Sequence, residues 1–332
     1  MREFARPKVV ISKCLEFERC RWNGEMISSQ IAKRMMGKVD FLPICPEVEI
    51  GLGVPRDPIR VIRTEGEKRL IQPAMARDCT VMALDFARKF LSALKGVDGF
   101  LLKSGSPSCG LKDVKIYPVG NRVAPIGRGS GFFGGEVIYL FGDRAIEDEN
   151  RLRNYKIAEH FLTKIFTLAD FRHVAEKEDL DQLRQFHTKN KLLLMAYSQK
   201  ELSHMGRIVA GGKEKSIEEI LSDYQGHLSA AMRVGPRCSS SINVLMHAMG
   251  HFSDDLSKEE KAFMLDSFMD YREGRIHLAV SNSVIKAWII RFEDEYLGDQ
   301  TFFQPFPSDI LDLDITDNCR IRDYWKEERE TI

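Results

Sequence analysis

Three apolar runs, Lys8–Ile11, Val39–Ile44 and Gly99–Leu102, each stop at a short segment carrying a cysteine, and helical patterns lie between them. Short apolar runs bounded by turn residues read as strands buried on both faces, and strands separated by helices read as a parallel sheet. Parallel strands finish at one edge, where α/β sheets bind ligands. Cys14 in Ser12-Lys13-Cys14-Leu15, Cys45 in Pro43-Ile44-Cys45-Pro46-Glu47 and Cys109 in Ser104-Gly105-Ser106-Pro107-Ser108-Cys109-Gly110 therefore emerge together. Any one of them alone reads as a small, well-packed thiol. Three at one edge read as a site, too few for a closed tetrahedral zinc site and suited to a cluster with one open corner.

The alternation of strands and helices predicts an α/β N-terminal domain over residues 1–150 with a mostly parallel sheet. Ser28–Met36 reads as a helix, and Arg60–Arg63 with Lys68–Gln72 as a hairpin around Thr64-Glu65-Gly66-Glu67. Pro73 suits a first helical position, with an apolar stripe running to Lys95 and Cys79 inside that helix. The charged stretch Asp143–Arg153 reads as the connector. Residues 151–332 read as an all-α C-terminal domain, with helical spacing in Leu152–Leu168, Ala169–Lys177, Leu180–Ala210, Ser216–Met232, Ser239–Phe252, Ser257–Glu273 and Ala279–Tyr296. Ser216-Ile217-Glu218-Glu219 and Ser257-Lys258-Glu259-Glu260 match capping boxes. Asp309–Asp317 is an acidic strap.

Seven widely spaced cysteines do not form a secreted disulfide framework, no run reaches membrane-spanning length, and the start lacks a signal-peptide core. The chain reads as a cytoplasmic protein. Its 49 basic and 49 acidic residues balance, but residues 1–150 hold 24 Lys/Arg against 19 Asp/Glu and residues 151–332 hold 25 against 30.

Glu47, two residues from Cys45, is placed to act as a general base, and Ser104, Ser106 or Ser108 to hold a substrate oxygen or relay a proton. The same serines also suit a tight turn. Cys20, in the charged loop Glu16–Arg21, fits a fourth ligand or packing equally; Cys238 and Cys319 lack partners at ligand spacing. Gly129-Ser130-Gly131-Phe132-Phe133-Gly134 fits G-x-G-x-x-G but stands outside a first βα unit, so its glycines read as a sharp turn or a close approach to a phosphate or sugar. His247 and His251 share a helix face without the glutamate of a zinc-protease motif. Residues 184–215 hold Arg184, Lys189, Lys191, Lys200, Arg207, Lys213 and Lys215 against Glu201 and Glu214, with Phe186, His187 and Tyr197 interleaved. Such a surface suits phosphates and a stacked base, and equally a solvated helix face.

Lys8 to about Asn150 resembles the TudS-type thiouracil desulfidases through the Cys14 segment, Cys20-Arg21-Trp22-Asn23-Gly24, Cys45-Pro46-Glu47, Lys103 to Gly110 and Gly129-Ser130-Gly131. The stretches Phe186 to Lys191 and Met195 to Gln199 resemble the helical domain often fused to that module, a fusion associated with removing sulfur from 4-thiouridine in tRNA. Trp22-Asn23 stands where Tyr-Asp is common, and Glu16-Phe17-Glu18 replaces a more apolar loop. The resemblance implies a [4Fe-4S] cluster on Cys14, Cys45 and Cys109 with one iron open to the substrate sulfur, Glu47 and Ser106 as catalytic residues, and substrate contacts from Arg21, Ser104, Ser108, Gly129 and Gly131. It implies a hydrolytic reaction without net redox change, and RNA contacts from Lys189, Lys191 and Arg207. Free thiouracil or 4-thiouridine monophosphate is the alternative substrate, and a non-catalytic metal-containing RNA-binding module the alternative class. Oligomeric state stays open.

Overall fold

The computed structural model describes residues 2–120, 123–211 and 215–311; Lys213, Glu214, positions 312–317 of the acidic strap and Cys319 lie outside them. The N-terminal part runs β1 (Lys8–Ser12), α1 (Gln30–Met35), β2 (Asp40–Ile44), α2 (Pro46–Glu49), β3 (Arg60–Thr64), β4 (Glu67–Gln72) and β5 (Arg77–Asp78). It continues with α3 (Thr80–Ala93), β6 (Gly99–Leu102), β7 (Val114–Pro118), β8 (Gly127–Gly129), α4 (Phe132–Phe141) and β9 (Ala145–Asp148).

Four parallel strands in the order β2-β1-β6-β9 form the first sheet. Its two faces are covered, which is why β1 and β6 read as continuous apolar runs. Val10, Phe100 and Leu102 pack on Ala87 and Leu91 of α3 and Phe133 and Val137 of α4. Val9, Ile11 and Leu101 pack on Phe161, Leu162, Ile165 and Phe166 of the next helix, α5 (Tyr155–Ala175). A second, mixed sheet, β5-β4-β3-β7-β8, carries the expected hairpin as antiparallel β3 and β4.

Two local expectations are corrected. Pro73 opens only a short 3-10 turn; Arg77–Asp78 then pairs with β4, and α3 starts at Thr80, whose backbone N donates to Asp78 Oδ1 at 2.9 Å. Cys79 consequently sits at the cap position rather than inside the helix, and is buried. The charged stretch Asp143–Arg153, expected as a connector, contains β9, an edge strand parallel to β6, whose Glu147 pairs with Arg151 at 2.6 Å. An edge strand can carry charge on its open side, and this hid it from the apolar pattern.

The C-terminal part is helical: α5, then α6 (Leu180–Lys189), α7 (Lys191–Tyr197), α8 (Gln199–Gly211), α9 (Ile217–Ala231), α10 (Cys238–His251), α11 (Lys258–Arg272), α12 (Leu278–Phe292) and α13 (Glu295–Gly298). Both capping boxes form, at Ser216/Glu219 and Ser257/Glu260. The two patterns Leu152–Leu168 and Ala169–Lys177 are one helix, α5. It serves both cores, because Leu168 and Phe171 pack with Leu183, Phe186 and Tyr224. Arg172 near its end donates to Asp98 Oδ2 at 3.0 Å, and Lys8 N donates to the same oxygen at 2.8 Å. The single pattern Leu180–Ala210 breaks instead into three helices. Buried Asn190 ends α6 by donating Nδ2 to Phe186 O at 2.9 Å and accepting from Thr301 Oγ1 at 2.8 Å, a side-chain alternative to the helix ladder. Among the described residues no helix is long and apolar enough to cross a membrane.

Candidate functional site

Because β1, β2 and β6 are parallel neighbours, the turns after Ser12, Ile44 and Leu102 gather at one edge, tied by Lys13 N to Ile44 O at 2.8 Å and Lys103 N to Ser12 Oγ at 2.9 Å. Cys14 lies within a turn closed by Leu15 N donating to Ser12 O at 2.8 Å. Cys45 caps α2, with Pro46 as the first helical residue. Cys109 sits in a turn organised by Ser106, whose Oγ accepts from Ser108 N at 3.2 Å and Cys109 N at 3.1 Å. All three cysteines line one cavity of about 250 Å³.

Cys20 lines the same cavity, is fully buried, and its carbonyl receives Cys45 Sγ at 3.8 Å. Its contact with Cys14 is the main cause that lifts its thiol to about 11. Contact with Cys20, then burial, lifts Cys45, and burial lifts Cys109. These thiols are therefore protonated at neutral pH without a metal, and metal binding would release those protons. Among the described residues no three His, Cys, Asp or Glu side chains are arranged to hold a single metal ion.

Glu47 points one carboxylate oxygen into this setting. Arg56, whose side chain is only 3% exposed, donates Nε at 2.9 Å and Nη2 at 2.5 Å to Glu47 Oε2, while Ser106 Oγ donates to Oε1 at 3.3 Å. Arg56 Nη1 also donates to Cys20 O at 3.0 Å and Gly53 O at 2.8 Å. Sequence reasoning missed Arg56. Its one signal was a lone cation among Val54-Pro55-Arg56-Asp57-Pro58, a turn-rich loop close after Glu47.

Arg21 and Ser104 line the cavity, as do Trp22 and Lys103. The Ser104 hydroxyl is committed, donating to Asp113 Oδ2 at 2.7 Å and accepting from Asn150 Nδ2 at 2.8 Å. Ser108 lies behind the cavity wall, buried, with no partner for its hydroxyl among the described residues. Gly129 and Gly131 do not line the cavity. Gly131 starts α4 against the Cys109 turn, where a Cβ would stand 2.6 Å from Pro107 O, and Gly134 brings the same helix against Cys109 O. The glycine motif is thus a close backbone approach to the cysteine turn, with the space taken by protein.

A second, larger cavity of about 1590 Å³ is lined by Arg153, Lys33 of α1, Lys156 and Glu159 of α5, Tyr271 of α11 and Lys286 of α12. Glu149 and Asn150 form part of its lining, yet Glu149 accepts from Lys103 Nζ at 2.6 Å and Ser104 N at 2.8 Å, so the two cavities share a wall. Lys189, Lys191 and Arg207 are exposed and line neither cavity. The aromatics interleaved with them do not form a stacking surface: Phe186 is in the helical core, His187 Nδ1 meets Tyr224 OH at 3.0 Å, and Tyr197 faces the large cavity. The cause is helical geometry, which turns these positions inward while the lysines face water.

Fold and site together define a cysteine-lined α/β cavity joined to a helical partner domain. Residues 9–149 match the 2-thiouracil desulfurase family, and residues 191–307 match DUF1722, a protein family of unknown function. The uncharacterized protein YbbK of Bacillus subtilis (strain 168) is 31% identical over 109 residues, covering 31% of this chain and 72% of that protein. The uncharacterized protein YbgA of Escherichia coli (strain K12) is 26% identical over 151 residues, covering 44% of this chain and 88% of its own. A solved structure, the [4Fe-4S]-dependent thiouracil desulfidase TudS, is 25% identical with a TM-score of 0.35, over 45% of this chain and 94% of its own. Through residues 9–149 the chain belongs to the 2-thiouracil desulfurase family.

Proposed function

We propose that this protein is a desulfidase that removes sulfur from 4-thiouridine in tRNA, using a [4Fe-4S] cluster on Cys14, Cys45 and Cys109. The observation that carries the reading is the convergence of four buried thiols, the strand-end Cys14, Cys45 and Cys109 together with Cys20, and the Glu47–Ser106 pair on one small cavity. The donor set fits such a group in its chemistry: the cavity is lined by cysteine sulfur and by no histidine. A cluster spreads its thiolates over separate iron atoms, which a single-ion arrangement does not. When bound, it would supply a soft Lewis acid that prefers a thiocarbonyl sulfur to a carbonyl oxygen.

The chain's own residues account for the proton and the water. Glu47 Oε2 is occupied by Arg56, so Oε1 is the oxygen available to accept a proton from water. The resulting hydroxide adds to C4 of the thiopyrimidine; the C–S bond then breaks with its electron pair going to sulfur, the proton held by Glu47 and the proton of the new hydroxyl pass to that sulfur, and water plus thiocarbonyl give carbonyl plus hydrogen sulfide with no redox partner. Ser106, bonded to Oε1, can pass a proton to the ring or hold its oxygen.

A free base needs only the small cavity. The large cleft beside it, with Lys33, Arg153, Lys156 and Lys286, supports a polymeric substrate, and exposed Lys189, Lys191 and Arg207 would add outlying phosphate contacts. Protein purified without oxygen should be brown, hold about four iron atoms per chain, and release sulfide from tRNA containing 4-thiouridine. A colourless, iron-free protein active on that tRNA would remove the cluster from the reading.

A further inference from the structure

The second sheet has one face covered and one open. Strand alternation sends Val61, Leu70, Val114 and Ile116 inward, where they pack with Ala83 of α3 and Phe132 of α4, and sends the residues between them outward. Register sets the outward residues in rows across the strands. Arg60 of β3 stands opposite Ile71 of β4 and one position before the partners Val61 and Ile116, which brings it beside Lys115 of β7. Lys115 in turn pairs with Arg128 of β8. Three exposed cations thus stand side by side on three adjacent strands.

Such a row opposes folding, because like charges directly opposite in a sheet repel and neighbouring strands are only about 4.8 Å apart. None of the three has a carboxylate partner among the described residues: Arg60 lies over the Tyr117 ring, 5.2 Å from its centroid, and Arg128 Nη1 donates to Asp113 O at 3.3 Å. Two acids on this face, Asp78 and Glu67, both pair with Arg69, at 3.1 and 3.7 Å. Half-buried Ile62, Ile71 and Tyr117 fill the space between the charges. Cations spread over neighbouring strands around an aromatic ring suit phosphates and a stacked base. An acidic polypeptide would meet the charges and leave the ring unused.

Position ties this face to the cysteine site. Pro58 and Ile59 line the small cavity and Arg60 follows them directly, while Asp113, whose carbonyl holds Arg128, also accepts from Ser104 Oγ at 2.7 Å. The cations therefore stand at the end of the sheet next to the cavity. We propose that the open face of the second sheet is an RNA platform: it carries nucleotides flanking the base that enters the small cavity, with phosphates on Arg60, Lys115 and Arg128 and a base on Tyr117. The proposal rests on the tRNA reading of the substrate, but its test uses binding alone.

The experiment is titration of the full chain with an unmodified tRNA transcript, followed by fluorescence anisotropy at several salt concentrations. Arg60→Gln, Lys115→Gln and Arg128→Gln together should weaken binding and flatten the slope of log K against log salt by about 2, the share of three phosphates on a single strand. Tyr117→Ala should weaken binding roughly 5- to 150-fold with the slope unchanged, the effect of one lost stacking contact, and Tyr117→Phe should keep it. The triple variant should melt no lower than the wild type, since a repulsion is removed, and this separates lost binding from lost fold. Unchanged affinity and slope in the triple variant overturn the proposal, as does unchanged affinity in Tyr117→Ala. Wild-type protein that binds poly-L-glutamate as tightly as the transcript overturns it in favour of an acidic protein partner. Binding through this face without sulfide release from thiolated tRNA would remove the desulfidase reading and leave the platform standing.

Discussion

Arg56 puts Nε and Nη2 on the same oxygen of Glu47, Oε2, and leaves Oε1 to Ser106. One buried guanidinium thereby selects which carboxylate oxygen faces the chemistry and also holds the carbonyl of Cys20. Glu47→Gln keeps the size and the Arg56 side of the site, so iron content should remain while turnover falls by roughly 10²–10⁴-fold. Arg56→Ala should act differently. It leaves a buried carboxylate without its partner, which costs on the order of 3–5 kcal/mol of stability, to be read from urea denaturation. A fully stable Arg56→Ala protein would show the pair to be dispensable to the fold.

Single replacement of Cys14, Cys45 or Cys109 by alanine should abolish iron binding and the brown absorbance. Cys79→Ala and Cys238→Ala should keep both, since Cys79 lies at the cap of α3 and Cys238 at the start of α10, and neither lines the small cavity. Iron and acid-labile sulfide assays on protein prepared without oxygen give the answer. A full complement of iron in Cys109→Ala would remove that thiol from the ligand set.

Gly131→Ala touches no thiol, yet it should lower iron content as well. A Cβ there meets the backbone oxygens of Pro107 and Ser108, which no rotamer can relieve, so α4 or the Cys109 turn must move. Thermal melting and iron assay on the same preparation should both fall. Normal values would mean that the Cys109 turn tolerates displacement.

How much of this was legible in sequence depends on burial. Lys8–Ser12 and Gly99–Leu102 announce themselves because both sheet faces are covered. Ala145–Asp148 does not, being an edge strand with two acidic residues, nor does the two-residue strand Arg77–Asp78. Cys14, Cys45 and Cys109 could be brought together from strand direction alone. Arg56, Glu149 and Asn150 could not, because their roles arise from contacts with Glu47, Lys103 and Ser104 that no spacing encodes. The same limit placed Phe186 on a surface when its helical position turns it into the core.

The raised carboxyl of Glu159 has a consequence for stability with a definite sign. Its value moves from 4.5 to about 7 on folding, chiefly by burial, so the folded chain holds a proton that the unfolded chain releases between those limits. The group's contribution is full below about pH 4.5 and is lost as pH rises through 7. Glu159→Gln removes the titration. It should raise stability at pH 8 by on the order of 2 kcal/mol, discounted for the water that still reaches the side chain, and change little at pH 4.5. Melting curves at the two pH values test this; equal shifts at both would place the effect in packing rather than charge.

The outer basic face can be separated from the cavity by substrate size. Lys189, Lys191 and Arg207 are exposed and line neither cavity, so replacing all three with alanine leaves the cysteine site intact. If that face carries tRNA, affinity should fall and the slope of log K against log salt should flatten by about 2–3, because roughly three fewer phosphates are neutralised. Desulfuration of free 4-thiouridine monophosphate should stay unchanged, since one phosphate cannot reach both places. The variant must spare Phe186, whose loss would open the core. Equal losses on tRNA and on the monophosphate would assign the face to domain packing. No loss on either, with salt dependence intact, would move the phosphate contacts to Arg153, Lys156 and Lys286, where the cleft adjoins the wall formed by Glu149 and Asn150.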